Sequence, residues 1–194
     1  MAMKNAASNR PIPDEGVVPA RLAYIIEVGE HEQGEFGVKD QVFLHYCLPT
    51  RIIPEGEYEG KQFMIRTAPL RNSISEKAAL WKHRIVLAPD GNESHEELLT
   101  KAAFLTITHN EVKRNGVTTK YANITNVSGV PEGMDVDDID VTPFYFDYDD
   151  PDPDLWTDRL WDQIRDRIKE SLNYETSKVK LMVSHLEAMT GDDE

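Results

Sequence analysis

Alternating apolar and polar residues predict strands in the first two-thirds of the chain. Residues 17–29 repeat apolar side chains at every second position, and residues 41–48 alternate again. In the second run, one face carries Val42, Leu44, Tyr46 and Leu48, and the other carries Phe43, His45 and Cys47. Residues 61–66 form a third, shorter strand-like run. We therefore expect three consecutive strands separated by loops rich in glycine and proline.

A helix and a hairpin follow these strands. Ser73 to Glu76 and Ser94 to Glu97 both match the capping box, which predicts a helix start at each serine. Residues 103–110 and 117–127 then alternate on either side of Asn115-Gly116, a dipeptide typical of a type I′ turn. The order strand, strand, strand, helix, strand, strand is that of the OB-fold, a five-stranded Greek-key barrel. The same periodicity also fits another small α+β barrel, so this alternative fold stays open.

The composition changes after Pro131, which divides the chain into an arm (1–16), a barrel domain (17–133) and an acidic tail (134–194). Residues 134–158 contain ten Asp and neither Lys nor Arg. Asp152-Pro153 then predicts the start of an amphipathic helix over about 153–172. Its apolar stripe consists of Trp156, Leu160, Ile164 and Ile168.

Charge is distributed unevenly along the chain. The 194 residues carry a formal net charge of −14, but residues 134–194 hold 18 acids and 6 bases. Residues 1–133 hold 17 acids and 15 bases and are nearly neutral. The single Cys47, the lack of a long apolar run and the polar N-terminus predict a soluble, cytoplasmic protein without disulfides.

Patterns for metal binding and catalysis are weak. The Asp-rich runs lack the glycine and glutamate of a calcium loop, and His95-Glu96-Glu97 lacks the second histidine of a zinc helix. Neither a phosphate loop nor a nucleophile motif is present, and Cys47 lies among apolar neighbours. We expect no catalytic site, metal or cofactor.

Basic residues interleaved with aromatic residues indicate a different activity. Residues 61–84 hold six bases against one acid, and residues 101–130 hold four against one. Cations that follow phosphates and rings that stack on bases are typical of single-strand binding. Trp81 also fits the core, and scattered bases also fit a solvated surface. The candidate nucleic-acid-binding residues are Arg21, Phe43, Phe63, Arg66, Arg71, Lys77, Trp81, Lys82, Arg84, Lys120 and Tyr121.

Residues 16–174 resemble the single-stranded DNA-binding proteins of tailed bacteriophages. The resemblance rests on the stretches VPARLAYIIEVGEHEQ, KDQVFLHYCLP, LRNSISEKAALWKHRI, THNEVKRNGVTTKYANITNVSGVPEG and FYFDYDDPDPDLWTDRLWDQIRDRIKESLNY. It implies an OB-fold, sequence-tolerant binding of single strands in phage DNA replication or recombination, and an acidic tail. Bacterial single-strand binders end in Pro-Phe, whereas this sequence ends in Asp192-Asp193-Glu194.

Three functional hypotheses remain open at this point. The first is a non-catalytic single-stranded DNA-binding protein, and the second is a barrel that recruits a phage or host replication or recombination enzyme through its acidic tail. The third is a DNA mimic. Under the first hypothesis, Trp81→Ala weakens DNA binding without unfolding, and removal of residues 134–194 strengthens binding by removing a competing acidic segment. Homo-oligomerisation stays open.

Overall fold

The computed structural model describes residues 11–114 and 116–190. The described strands are β1 (Gly16–Glu32), β2 (Val38–Ile52), β3 (Gln62–Arg66), β4 (Leu70–Arg71), β5 (Ala102–Arg114), β6 (Val117–Ser128) and β7 (Phe144–Phe146). The α-helices are α1 (Ala79–Leu87), α2 (His95–Leu98), α3 (Asp162–Lys169) and α4 (Lys178–Thr190). Short 3₁₀ turns occupy Gly34–Phe36 and Tyr174–Thr176, and a π-helical turn occupies Leu155–Arg159.

The strands form a nearly closed antiparallel barrel with the order β3-β2-β1-β5-β6. β3 and β6 are the two ends of this order, and they approach each other closely enough to contact. The long β1 pairs with β5 through its first residues and with β2 through its later ones, with register shifts after Leu22 and Glu27. Such irregularities bend a strand, which lets β1 belong to both sides of the barrel. The predicted mainly-β, OB-like barrel is confirmed.

The barrel interior is filled by one face of each strand. Val42, Leu44, Tyr46 and Leu48 point into it, as the alternation predicts, together with Leu22 and Ile25 from β1. Helix α1 covers this core with Leu80 and Leu87. A hydrogen bond of 2.9 Å between His83 Nδ1 and the Tyr46 hydroxyl attaches α1 to β2.

A second apolar core lies on the outside of β1 and β2. Ile26, Val28 and Phe43 pack there against residues from the C-terminal third of the chain. β7 pairs in parallel with Tyr24–Ile26 of β1 and brings the acidic segment onto the sheet. The sequence suggested a tail separate from the barrel, whereas the structure packs this segment on it as a second layer.

The predicted helix over 153–172 is broken in the structure. Its four stripe residues Trp156, Leu160, Ile164 and Ile168 are all buried, as an amphipathic helix requires. The backbone, however, leaves helical geometry at Leu160 and Trp161, between the π-helical turn and α3. Asp152 does accept hydrogen bonds from the amides of Asp154 and Leu155, in agreement with its predicted capping position.

The two predicted capping boxes have different outcomes. Ser94 and Glu97 form the reciprocal pair at the start of α2. The prediction of a capping box at Ser73 is wrong, because α1 begins at Ala79 without a side-chain cap. The amide of Asn72 binds the Asp40 carbonyl and its side chain binds Glu27, so this stretch is held against β1 and β2 before the helix begins.

The predicted hairpin joins β5 and β6. Arg114 pairs with Val117, which leaves two residues for the turn, and Gly116 has a φ of +80°. Asn115 lies outside the described residues, as do residues 1–10 of the predicted arm. Pro13 and Glu15 of that arm bind His109 on β5. Throughout 11–114 and 116–190, each helix is too short or too polar to cross a membrane.

Candidate nucleic-acid interface

Three adjoining depressions surround the segment 67–70, which follows β3. Their volumes are about 590, 450 and 290 Å³. Thr67 and Ala68 line the first two, and Leu70 and Ala79 line the second and third. The depressions therefore form one continuous surface along the seam between β3 and β6 and around α1, which we call the basic tract.

The described residues that line the basic tract carry an excess of positive charge. Arg66 and Arg167 line the first depression, Lys82 lines the second, and three further bases line the third, namely Lys39, Arg71 and Lys77. Among the described residues that line these depressions, none is Asp or Glu. In a chain with a net charge of −14, this surface attracts anions.

Two guanidinium groups meet in the first depression. Arg66 lies over the Phe43 ring, 4.8 Å from its centroid, and Arg167 Nη2 donates to Gln41 Oε1 at 3.0 Å. Burial and the neighbouring charge of Arg167 lower the pKa of Arg66 below its ordinary value. An anion such as a phosphate placed between the two groups relieves this repulsion and accepts charge-assisted hydrogen bonds.

Exposed rings accompany these cations. Tyr121 on β6 is 45% exposed and stands across from Asn110 on β5. Asn123 Nδ2 donates to Asn110 Oδ1 at 2.6 Å, so polar amides lie beside the tyrosine ring. At the third depression, Phe36 in the turn between β1 and β2 is 73% exposed. Both rings can accept an unpaired base on one face.

The structure brings together six of the eleven predicted site residues. They line the basic tract and are Phe43, Arg66, Arg71, Lys77, Lys82 and Tyr121. Phe43, however, is 4% exposed in the outer core beneath Arg66, so its ring cannot stack on a base. The sequence analysis missed Phe36, Lys39 and Arg167. Phe36 lies in the turn between β1 and β2, and Lys39 is the second residue of β2. Both fall between the strands predicted over 17–29 and 41–48, where an aromatic residue three positions before a lysine is the available signal. Arg167 lies within the acidic third, and only tertiary packing carries it to the tract.

Two predicted arginines are engaged in holding the fold. Arg21 donates to the carbonyls of Asp137, Thr100 and Val136 at 2.9, 2.8 and 2.6 Å, and it pairs with Asp138 at 3.6 Å. Arg84 is buried and donates to the Glu93 carbonyl. These contacts satisfy backbone carbonyls with charged donors and direct both groups away from the basic tract.

The three remaining predicted residues also lie outside the tract. Phe63 is part of the barrel interior, because it alternates with the outward side chains of β3. Trp81 is half-buried and its ring lies against Gly91. Lys120 is exposed on β6 opposite Glu111. The conflict between Phe63 and Arg66, which are three residues apart on one strand, is resolved in favour of Arg66.

No protein family model, curated protein or solved structure matches this chain. Within the described parts of the chain, no group of three or more His, Cys, Asp or Glu side chains is arranged to hold a metal ion. The kind of ligand is therefore indicated only by the OB-like barrel and by the side chains of the basic tract. That chemistry suits a flexible polyanion with flat, apolar groups.

Proposed function

We propose that this protein binds single-stranded DNA, without sequence preference and without catalytic activity, along the basic tract. The observation that carries the proposal is a continuous surface with six cations and no carboxylate among its described lining residues, on an otherwise acidic protein. Lysine and arginine neutralise phosphates, and this contact is independent of base sequence.

The exposed aromatic rings favour a single strand over a duplex. Bases in a duplex are stacked on each other, whereas unpaired bases can stack on Tyr121 and Phe36. Every base has a flat face, so stacking of this kind tolerates all sequences. The resemblance to phage single-stranded DNA-binding proteins supports the same activity and suggests a role in phage DNA replication or recombination in the host cytoplasm.

The test is fluorescence anisotropy with a labelled oligo-dT strand at several salt concentrations. The logarithm of the affinity for a single strand falls linearly with the logarithm of the salt concentration. The slope is about 0.7 for each neutralised phosphate. We expect Arg66→Ala and Arg167→Ala each to weaken binding and to reduce the slope by about 0.7. The control Lys178→Ala removes an exposed cation at the start of α4, outside the tract, and we expect it to leave the slope unchanged.

Further oligonucleotides test the sequence tolerance and the strand preference. Oligo-dA and oligo-dC are expected to bind within about tenfold of oligo-dT, and a duplex of equal length more weakly. Salt-independent binding, or equal loss in Lys178→Ala and Arg66→Ala, contradicts the proposal. Either result shows that the tract does not hold the phosphates.

A further inference from the structure

An apolar cavity of about 710 Å³ lies at the start of β3. The basic tract begins at the other end of this strand, at Arg66. The cavity is bounded by the loop between β2 and β3, by Tyr24 of β1, by Asp140 and Val141 of the C-terminal segment, and by Pro11 near the N-terminus. We call it the acidic pocket. Along β3 the last residue that lines the pocket is Met64, two residues or about 7 Å of strand before Arg66.

The lining of the acidic pocket combines apolar side chains with carboxylates. Ile53, Phe63 and Met64 supply apolar surface, and Tyr58 is 50% exposed. Among the described residues that line the pocket, three are carboxylates, Glu55, Glu57 and Asp140, and one is a cation, Lys61. This charge repels nucleic acid and complements a cationic group next to an apolar one.

Hydrogen bonds hold two walls of this pocket in place. Gln62 Oε1 accepts from the amide of Asp140 at 2.9 Å, and Gln62 Nε2 donates to the Asp138 carbonyl at 3.2 Å. The loop between β2 and β3 is closed by the Ile53 amide, which donates to the Lys61 carbonyl at 2.8 Å. The Gly60 amide donates to the Ile53 carbonyl at 3.0 Å. A cavity with fixed walls binds without the cost of ordering a loop.

We propose that the acidic pocket binds a segment of a partner protein in which a large apolar side chain is flanked by lysine or arginine. The apolar side chain enters the cavity between Ile53 and Met64, and the cations pair with Glu55, Glu57 and Asp140. This inference goes beyond DNA binding, since the ligand has the opposite charge to DNA. The pocket and the basic tract have no described lining residue in common, so the two ligands contact different side chains.

The test is a titration of the full ¹⁵N-labelled chain, followed by two-dimensional NMR, with the synthetic peptide acetyl-Lys-Leu-Phe-Lys-amide. We expect saturable shifts of the amides near Tyr58, Met64 and Val141. Two control peptides keep one part each. The apolar part is kept by acetyl-Glu-Leu-Phe-Glu-amide, and the cationic part is kept by acetyl-Lys-Ser-Ser-Lys-amide. We expect both to bind at least about tenfold more weakly.

Matched variants connect these shifts to the pocket. The double variant Glu55→Gln with Glu57→Gln keeps the shape of both side chains. We expect it to lower the affinity for the peptide at least about fivefold. Glu30→Gln with Glu32→Gln changes two exposed carboxylates outside the pocket and is expected to have no effect. Neither pair of substitutions is expected to weaken oligo-dT binding. A failure of the partner-binding proposal is therefore distinguishable from a failure of the DNA-binding proposal.

Several outcomes overturn the partner-binding proposal. They are the absence of saturable shifts, equal binding of the acidic peptide, and shifts confined to the basic tract. Self-association that is lost in Glu55→Gln with Glu57→Gln identifies a second copy of the chain as the occupant instead. Binding of the peptide only after deletion of residues 1–10 identifies the chain's own first residues as the occupant.

Discussion

The indole ring of Trp161 stands nearly perpendicular to the imidazole ring of His45, with 5.2 Å between the ring centroids and 81° between the planes. His45 lies on the outer face of β2, and Trp161 directly precedes α3. The contact therefore joins the C-terminal third to the barrel. It also fixes the start of the helix that carries Arg167 to the basic tract.

Removal of residues 134–194 is expected to destabilise the protein. The deletion uncovers Ile26, Val28 and Phe43, all now buried in the outer core, and it removes Arg167. We expect a lower melting temperature, self-association in sedimentation, and weaker oligo-dT binding. Tighter binding by a folded, monomeric truncation would instead support the free acidic tail expected from the sequence.

Protonation of His45 is expected to destabilise the fold below neutral pH. Burial, and to a lesser extent Arg66, lower the pKa of His45 from 6.5 to about 3. The unfolded chain therefore binds an extra proton between these values, and stability falls as the pH drops from 6.5 toward 3. His45→Leu should reduce this slope by about 1.4 kcal/mol per pH unit in urea unfolding.

His185→Leu is the control for the pH experiment, because His185 is exposed on α4. The pKa of His83 is also lowered by burial, to about 4, and this histidine contributes equally to wild type and His45→Leu. A slope that is the same in His45→Leu and wild type would show that His45 does not remain neutral in the folded protein.

Glu27 is expected to be the buried carboxylate on which stability depends most. It accepts from Asn72 Nδ2 at 2.8 Å, the Tyr145 hydroxyl at 2.9 Å and the Tyr148 amide at 3.1 Å, and His95 Nδ1 is 3.5 Å away. Burial raises the pKa of Glu27, but these hydrogen bonds together lower it below its ordinary value.

Glu27→Ala leaves several buried donors without an acceptor. We expect it to lower the free energy of unfolding by roughly 2–5 kcal/mol in urea titrations. Glu32→Ala, at an exposed position of the same strand, should change it by less than about 0.5 kcal/mol. Equal effects of the two variants would mean that the network around Glu27 adds little to stability.

Tyr121 is expected to stack on a DNA base. Tyr121→Ala should weaken oligo-dT binding by about 1–3 kcal/mol, whereas Tyr121→Phe keeps the ring and should bind normally. Tyr58→Ala removes a similarly exposed ring from the acidic pocket and should leave the DNA affinity unchanged. Loss of binding in Tyr121→Phe would assign the contribution to the hydroxyl group rather than to stacking.

Trp81 is expected to act on stability rather than on DNA binding, in contrast to the sequence-based prediction. A Cβ atom on Gly91 would lie 2.8 Å from the Trp81 ring, and Gly91 has a φ of +68°. Gly91→Ala therefore combines backbone strain with a steric clash. Gly56→Ala has the strain alone, since Gly56 has a φ of +94° and open space around it.

Thermal unfolding ranks these variants. We expect Trp81→Ala and Gly91→Ala to lower the melting temperature more than Gly56→Ala, with unchanged oligo-dT affinity for all three. A stable Trp81→Ala variant with weak DNA binding would show that Trp81 belongs to the DNA-binding surface.

Local patterns in the sequence were sufficient for the barrel. Alternation along β2 and β5 selects one side chain in two for the interior, because side chains on a strand point to opposite faces. Along β1 it fails after Leu22, where the register shift turns Ile26 and Val28, predicted on the same face as Leu22, to the outer core. The capping pair Ser94 and Glu97 and the two-residue link after Arg114 depend only on neighbours in the chain. The basic character of residues 61–84 is equally local, and four of its six bases line the basic tract.

Contacts between distant residues decided the rest. Alternation shows that Phe43 and His45 share a face, but not that β7 and α3 cover it. The sequence could not distinguish Arg66, which faces the tract, from Arg84, which is buried beside Glu93, since both are cations in one basic stretch. Arg167 reaches the basic tract from a segment whose overall charge is opposite. Periodicity and composition describe each segment by itself, whereas burial and charge pairing depend on which segments the folded chain brings together.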